Sequence, residues 1–167
     1  MRRALPWIVA LAVLVLDRVT KAAILRCLPE GGWQPVLPGL SLTHVHNRGI
    51  AFSLFADGGP LTRVVLQLLV TLAVAIIAWL VYRHGARGLA AGTALGLILG
   101  GAAGNLVDRM LYGWVVDFIH LWVRIGDRTW SWPDFNVADS AITVGAVLLV
   151  LGEFRHPAEG ANAPHPD

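Results

Sequence analysis

The sequence predicts an all-α integral membrane protein with four transmembrane helices. A small extracytoplasmic β-hairpin or sheet and a surface loop lie over one polar region. Three observations lead there. Apolar residues make up 56% of the chain and charged residues 14%, with a mean hydropathy of +0.62, whereas an ordinary soluble domain is about 25% charged. Four apolar runs, near 5–25, 62–82, 88–108 and 137–154, approach the ~20 residues a helix needs to cross a bilayer. The polar residues that interrupt these runs sit at ends that an up-and-down topology brings to one membrane face.

With 167 residues the chain is read as one membrane domain over 1–155, followed by a disordered cytoplasmic tail over 156–167. A formal charge of +2 without a Lys/Arg run argues against a nucleic-acid partner. Cys27, the one cysteine, excludes an internal disulfide and a cysteine-built metal cage.

Arg2-Arg3 before the apolar Ala4–Leu16 imitates a signal peptide. Asp17-Arg18-Val19-Thr20-Lys21 follows instead of a small-x-small cleavage site, so the segment reads as an uncleaved first span. Asp17 and Lys21 are four apart and share a helix face. They are either an interfacial pair ending the helix or a buried pair bracing its neighbours. Pro and Gly then punctuate 29–60, and Leu40–Asn47 has the β-branched content of a strand. Asn47-Arg48-Gly49 is a turn signal, with Ile50–Phe55 as the apolar return, so the β element is placed at about 33–55. His44 and His46 fall on one side of that strand and are read as ordinary strand residues rather than metal ligands.

Val64–Tyr82 is the clearest span, and the short loop 83–87 after it is basic. In the third span Gly88, Gly92, Gly96, Gly100 and Gly104 recur every four residues, a groove for a crossing helix. The loop 110–136 carries Trp114, Trp122, Trp130 and Trp132, and tryptophan collects at the headgroup level. It is expected to skim the membrane surface.

Four spans put both termini on one side. Five cations (Arg2, Arg3, Arg83, Arg87, Arg155) lie on that side and eight on the other; the purely basic loop 83–87 and Arg2-Arg3 nevertheless favour termini inside. Asp17 and Lys21 late in span one, Asn105, Asp108 and Arg109 late in span three, and Asn136 and Asp139 at the start of span four then converge on one face. Asp117 follows close behind. Ionisable groups in apolar company are costly and mark function by default. Two carboxylates within reach share a proton, one activating water and the other polarising a carbonyl. Asp117 and Asp139 suit this chemistry best, since Asp108 beside Arg109 reads as ion-paired, and Asp127 and Asp134 sit in the polar part of the loop. The bland alternative is two helix-end aspartates, with Asp139 capping span four. A proton-coupled transporter or channel relaying through Asp17, Lys21, Asp108 and Arg109 and a non-catalytic scaffold are the competing functions.

From Leu16 to about Gly152 the chain resembles the bacterial lipoprotein signal peptidases (signal peptidase II). Asp17-Arg18-Val19-Thr20-Lys21 is similar to the family's first motif, and Asn47-Arg48-Gly49 with Ala51-Phe52-Ser53 to its second. Gly101–Arg109 with Val115-Val116-Asp117-Phe118 is similar to the third, and Phe135-Asn136-Val137-Ala138-Asp139-Ser140 to the last. Ile50, where a smaller residue is usual, and the polar loop Arg124–Arg128 depart from the pattern. The resemblance implies that Asp117 and Asp139 are catalytic, that Asn47, Gly49, Asn105, Arg109 and Asn136 shape the substrate site, and that Asp17, Lys21 and Asp108 support it. It implies an intramembrane aspartic endopeptidase without metal or cofactor. The implied substrate is a diacylglyceryl-modified prolipoprotein, cleaved on the amino side of its lipidated cysteine. It implies a multi-pass protein of the bacterial plasma (inner) membrane with cytoplasmic termini and its site at the outer leaflet. Its expected partners are substrate and membrane lipids, and the expected state is a monomer.

Overall fold

The computed structural model describes residues 3–49, 59–84 and 88–154. The expected return segment 50–55, the Gly85–Arg87 part of the basic loop and the tail 156–167 lie outside the described residues. Four helices, α1 (Leu5–Cys27), α2 (Pro60–His84), α3 (Leu89–Tyr112) and α4 (Val137–Phe154), accompany four strands, β1 (Trp33–Leu37), β2 (Leu40–Asn47), β3 (Val115–Ile125) and β4 (Arg128–Ser131). The strands form one antiparallel sheet in the order β1-β2-β3-β4.

Helix α3 is the centre. Its glycines let backbones approach where any side chain would collide. A Cβ at Gly96 would lie 2.5 Å from the Pro6 carbonyl oxygen, one at Gly100 2.5 Å from that of Ala10, and one at Gly104 2.6 Å from the Asp17 carboxylate. Three rungs of the four-residue ladder therefore seat α1, and because both chains advance together, α1 and α3 run parallel. Gly101 faces the Ala138 carbonyl, and Gly145 faces that of Ala94, so α4 packs antiparallel to α3 on a neighbouring face and also meets α1. Helix α2 completes the bundle through Val74, Ile77, Ala78 and Val81, which pack against Ala10, Leu95 and Leu99.

The surface reverses that of a water-soluble protein. Leu11, Val15, Val19, Leu68, Leu72, Ile76, Val147 and Val150 are about half exposed or more, while Asp17, Lys21, Asp108 and Asn136 are fully buried. An apolar surface of this extent is unsuited to water and marks contact with lipid or with another protein. α2 and α3 are long and apolar enough to cross a membrane, with mean hydropathies of 1.6 and 1.5, and the apolar stretch of α4, Val137–Gly152, is shorter. α1 has the length, but Asp17, Arg18 and Lys21 interrupt its apolar character.

The sheet is larger than the sequence suggests. The stretch 110–136, expected as a loop, begins as the last turn of α3, which Gly113 closes at φ 79°. It then becomes the β3–β4 hairpin, turned at Gly126 with φ 59°. Its Val, Ile and Trp residues pair across strands, Val123 with Trp130 and Trp122 with Ser131, a placement that suits branched and aromatic side chains as well as the headgroup level does. Strand β2 likewise pairs with β1 through the Pro38-Gly39 turn and with β3, Val45 standing opposite Asp117.

Candidate active site

The residues singled out in the sequence meet where α1, α3 and α4 reach the sheet. At the base lies an electroneutral cluster. The Lys21 ammonium is 2.8 Å from an Asp17 oxygen and 2.9 Å from an Asp108 oxygen, and Arg18 pairs with the other Asp108 oxygen. Asp17 also receives the Ala138 N–H at 3.0 Å, and Asp108 that of Val116 at 3.2 Å. Two cations thus balance two carboxylates that burial alone would make untenable. The expected pairing of Asp108 with Arg109 does not occur, because adjacent helical residues point about 100° apart. Arg109 instead donates to the Gly49 carbonyl at 2.7 Å. Arg18 is the partner that sequence reasoning overlooked, and its place one residue from Asp17 was the available signal.

Above this base, asparagines hold the two aspartates. Lys21 donates to Asn105 Oδ1 at 2.9 Å, which turns Asn105 Nδ2 toward Asp139 Oδ1 at 2.8 Å. Asn136 Nδ2 donates to Asp117 Oδ1 at 2.7 Å, and Asn47 Nδ2 to Asp117 Oδ2 at 2.8 Å. Asn136 and Asp139 also form a reciprocal cap on α4: the Asp139 N–H donates to Asn136 Oδ1 at 3.0 Å, and the Asn136 N–H to Asp139 Oδ2 at 3.2 Å. Asp139 is therefore a capping residue, as the bland reading had it. Its second oxygen still faces Asn105, and the cap fixes its rotamer. Asn47 is held in turn, its Oδ1 accepting the Gly49 N–H at 3.0 Å.

Asp117 and Asp139 open onto one cavity of about 680 Å³. Asn47, Asn105 and Arg109 share its polar end; Leu121, Trp132, Pro133, Phe135, Ile142 and Val144 line the rest. Burial, with the neighbouring Asp139 charge adding to it, pushes the Asp117 carboxyl from 3.8 up to about 7, against the Asn47 and Asn136 hydrogen bonds and the Lys21 charge. An acid with that value exchanges protons near neutrality. The wall 132–135 belongs to the stretch 110–136 expected to lie over the site, although none of its residues was singled out as cavity lining. His44 and His46 do lie side by side, their Nε2 atoms 3.1 Å apart, but His44 Nδ1 is committed to the Leu28 carbonyl at 2.8 Å. His46 stacks on Trp114 with ring centroids 3.4 Å apart.

Lipid-facing helices around a carboxylate-lined cavity define an integral membrane enzyme. Solved structures agree: two structures described as bacterial membrane enzymes superpose with TM-scores of 0.79 and 0.76. The first is 25% identical and matched over 96% of this chain and 94% of its own; the second is 28% identical, over 91% and 94%. The family model for signal peptidase (SPase) II matches residues 9–155. The lipoprotein signal peptidase of Paraburkholderia phytofirmans is 47% identical over 90% of this chain and 85% of its own length. That of Burkholderia mallei is 43% identical over 90% and 88%. The chain belongs to the signal peptidase II family, and it is a peptidase of the bacterial inner membrane. That kinship leaves the transporter reading without support.

Proposed function

We propose that this protein removes the signal peptide from diacylglyceryl-modified prolipoproteins, hydrolysing the bond on the amino side of the lipidated cysteine. The observation that carries the reading is one cavity lined by two aspartates, with Asp117 raised to about 7. In the proposed cycle Asp117, raised to about 7, starts as the acid, and Asp139, which accepts N–H bonds from Asn105 and Asn136, starts as the base. Asp139 takes a proton from water as its oxygen adds to the scissile carbonyl carbon, and Asp117 gives its proton to the carbonyl oxygen. The tetrahedral diol collapses as Asp139 passes its proton to the leaving amine and the diol returns one to Asp117. No metal or cofactor enters this cycle. Asn47, Asn105 and Asn136 keep the carboxylates in register. Arg109 ties the Gly49 backbone to the cavity mouth, and Gly49 with Asn47 offers the substrate backbone its edge. Asp17, Lys21 and Asp108 hold α1, α3 and α4 together beneath.

In this reading α1 to α4 each cross the bilayer, residues 1–155 form one membrane domain, and both termini are cytoplasmic. The site then lies at the outer leaflet, where diacylglyceryl chains remain in lipid and hold the scissile bond at the depth of the aspartates. The protein acts as a monomer, with lipids filling the half-exposed aliphatic faces of the helices. The test is cleavage of a lipidated prolipoprotein peptide by purified protein in lipid or detergent. Asp117→Asn and Asp139→Asn are each expected to lower kcat by ~100-fold or more, the scale of losing an essential acid or base. Retention of full activity by either folded variant would sink the assignment.

A further inference from the structure

One continuous strip of chain, Trp132 to Phe135, forms part of the lining of the cavity. Its backbone bonds to β3 at two points: the Trp132 N–H to the Leu121 carbonyl at 2.8 Å, and Phe135 in both directions with Ile119, at 2.8 and 3.2 Å. Between these points Pro133 has no N–H to give, so the backbone alone leaves the middle of the strip unsecured. Asp134 occupies that gap. One of its carboxylate oxygens pairs with His120 Nδ1 of β3, and the other accepts the Thr43 hydroxyl of β2 at 3.0 Å. The clamp is backed from a third strand, where Trp33 of β1 meets the His120 ring edge-on at 4.5 Å between centroids. His120 and Asp134 are 15% exposed and Thr43 is 4% exposed, so the bonds form where water competes little.

We propose that Asp134, gripped by His120 and Thr43, is a positioning residue that fixes the substrate-facing wall of the cavity. Both of its oxygens are already engaged by the sheet, so it does not serve as a third acid in the reaction. The aspartates themselves are held by other bonds, from Asn47, Asn105 and the Asn136 cap. Releasing the clamp therefore loosens the surface that receives substrate while leaving the reacting groups in place. The effect falls on KM, with kcat largely spared. The inference rests on the peptidase reading of this cavity.

The experiment measures KM and kcat for a lipidated prolipoprotein peptide with wild type, His120→Ala, Asp134→Ala, the double variant and His120→Asn. The Asn side chain places an N–H near the position of Nδ1 and restores the donor. Each single Ala variant is expected to raise KM by about fivefold or more, below the full value of a charge-assisted hydrogen bond because the backbone bonds remain. The double variant should be no worse than the worse single, and His120→Asn should return KM to within about twofold of wild type. KM unchanged in both Ala variants, additive losses in the double variant, or a fall confined to kcat would each overturn the proposal. If wild type fails to cleave the peptide at all, the peptidase reading fails instead. A lower thermal midpoint with normal KM would reduce the clamp to a merely structural tie and also overturns it.

Discussion

Asp117 allows the electrostatics of the cavity to be tested without substrate. Its carboxyl stands at about 7 in the folded protein against an ordinary 3.8, burial being the main cause. A carboxyl raised this way binds its proton more tightly when folded. The stability it contributes is complete below pH 3.8 and is lost as pH rises through about 7. At about 1.4 kcal/mol per pH unit, ionising it costs the native state roughly 4 kcal/mol by pH 8.5. Asp117→Asn removes that titration. It also sets an amide NH₂ against the Asn47 or Asn136 donor, and an unmade buried hydrogen bond costs about 1–3 kcal/mol at every pH. The variant is therefore expected to be less stable than wild type near pH 4 and more stable near pH 8.5. Thermal unfolding in detergent micelles, followed by the fluorescence of the seven tryptophans, reads the difference. At about 2–4 °C per kcal/mol, the variant-minus-wild-type midpoint should swing by roughly 8 °C or more and change sign. A difference that stays flat across that range would refute burial as the cause of the raised value.

Other outcomes follow from the same geometry. Lys21→Met leaves the buried Asp17 carboxylate without a cation and Asp108 with Arg18 alone, and is expected to cost about 3–5 kcal/mol, seen as a depressed unfolding midpoint; an unchanged midpoint would mean the cluster is not held by charge balance. Gly101→Ala places a methyl against the Ala138 carbonyl, so it should cost ~1–3 kcal/mol and lower kcat by pulling Asn105 from Asp139. At Gly152, where an added methyl meets nothing within 4 Å, the same change should leave both measurements near wild type. Asn136→Ala removes a donor that lowers the Asp117 value, so the alkaline limb of the pH–activity profile should move to higher pH; movement to lower pH would contradict the assigned hydrogen bond.

The helices were legible because their signals are long and local. The spans read at 5–25, 62–82, 88–108 and 137–154 overlap α1 to α4 closely, and the glycine period of α3 announced the approach of another helix before its partner was known. Convergence of Asp17, Asn105, Asp117, Asn136 and Asp139 was legible from depth alone, since polar groups at one end of alternating helices share a face. The strands of 115–131 were harder. Their Val, Ile and Trp residues satisfy the headgroup level and a β-ladder equally, and only pairing with β2 and between β3 and β4 decides between the two. Side-chain partners distant in sequence were least visible. Nothing local ties Asp108 to Arg18, ninety residues away, or Asp134 to Thr43, and adjacency to Arg109 pointed the wrong way because it ignored helical angle.

The ion cluster of α1 and α3 also bears on how the protein is made. Asp17, Arg18 and Lys21 leave the ribosome long before Asp108 exists to complete their charge balance. In the proposed arrangement, the first helix therefore cannot settle to its final depth when it is synthesised. Its charged end must wait at the water boundary while α2 inserts, and it moves inward only when α3 arrives beside it. Biogenesis then has a built-in order: the N-terminal helix is secured only once α3 has been made, and a nascent chain halted before Asp108 leaves that helix poorly anchored.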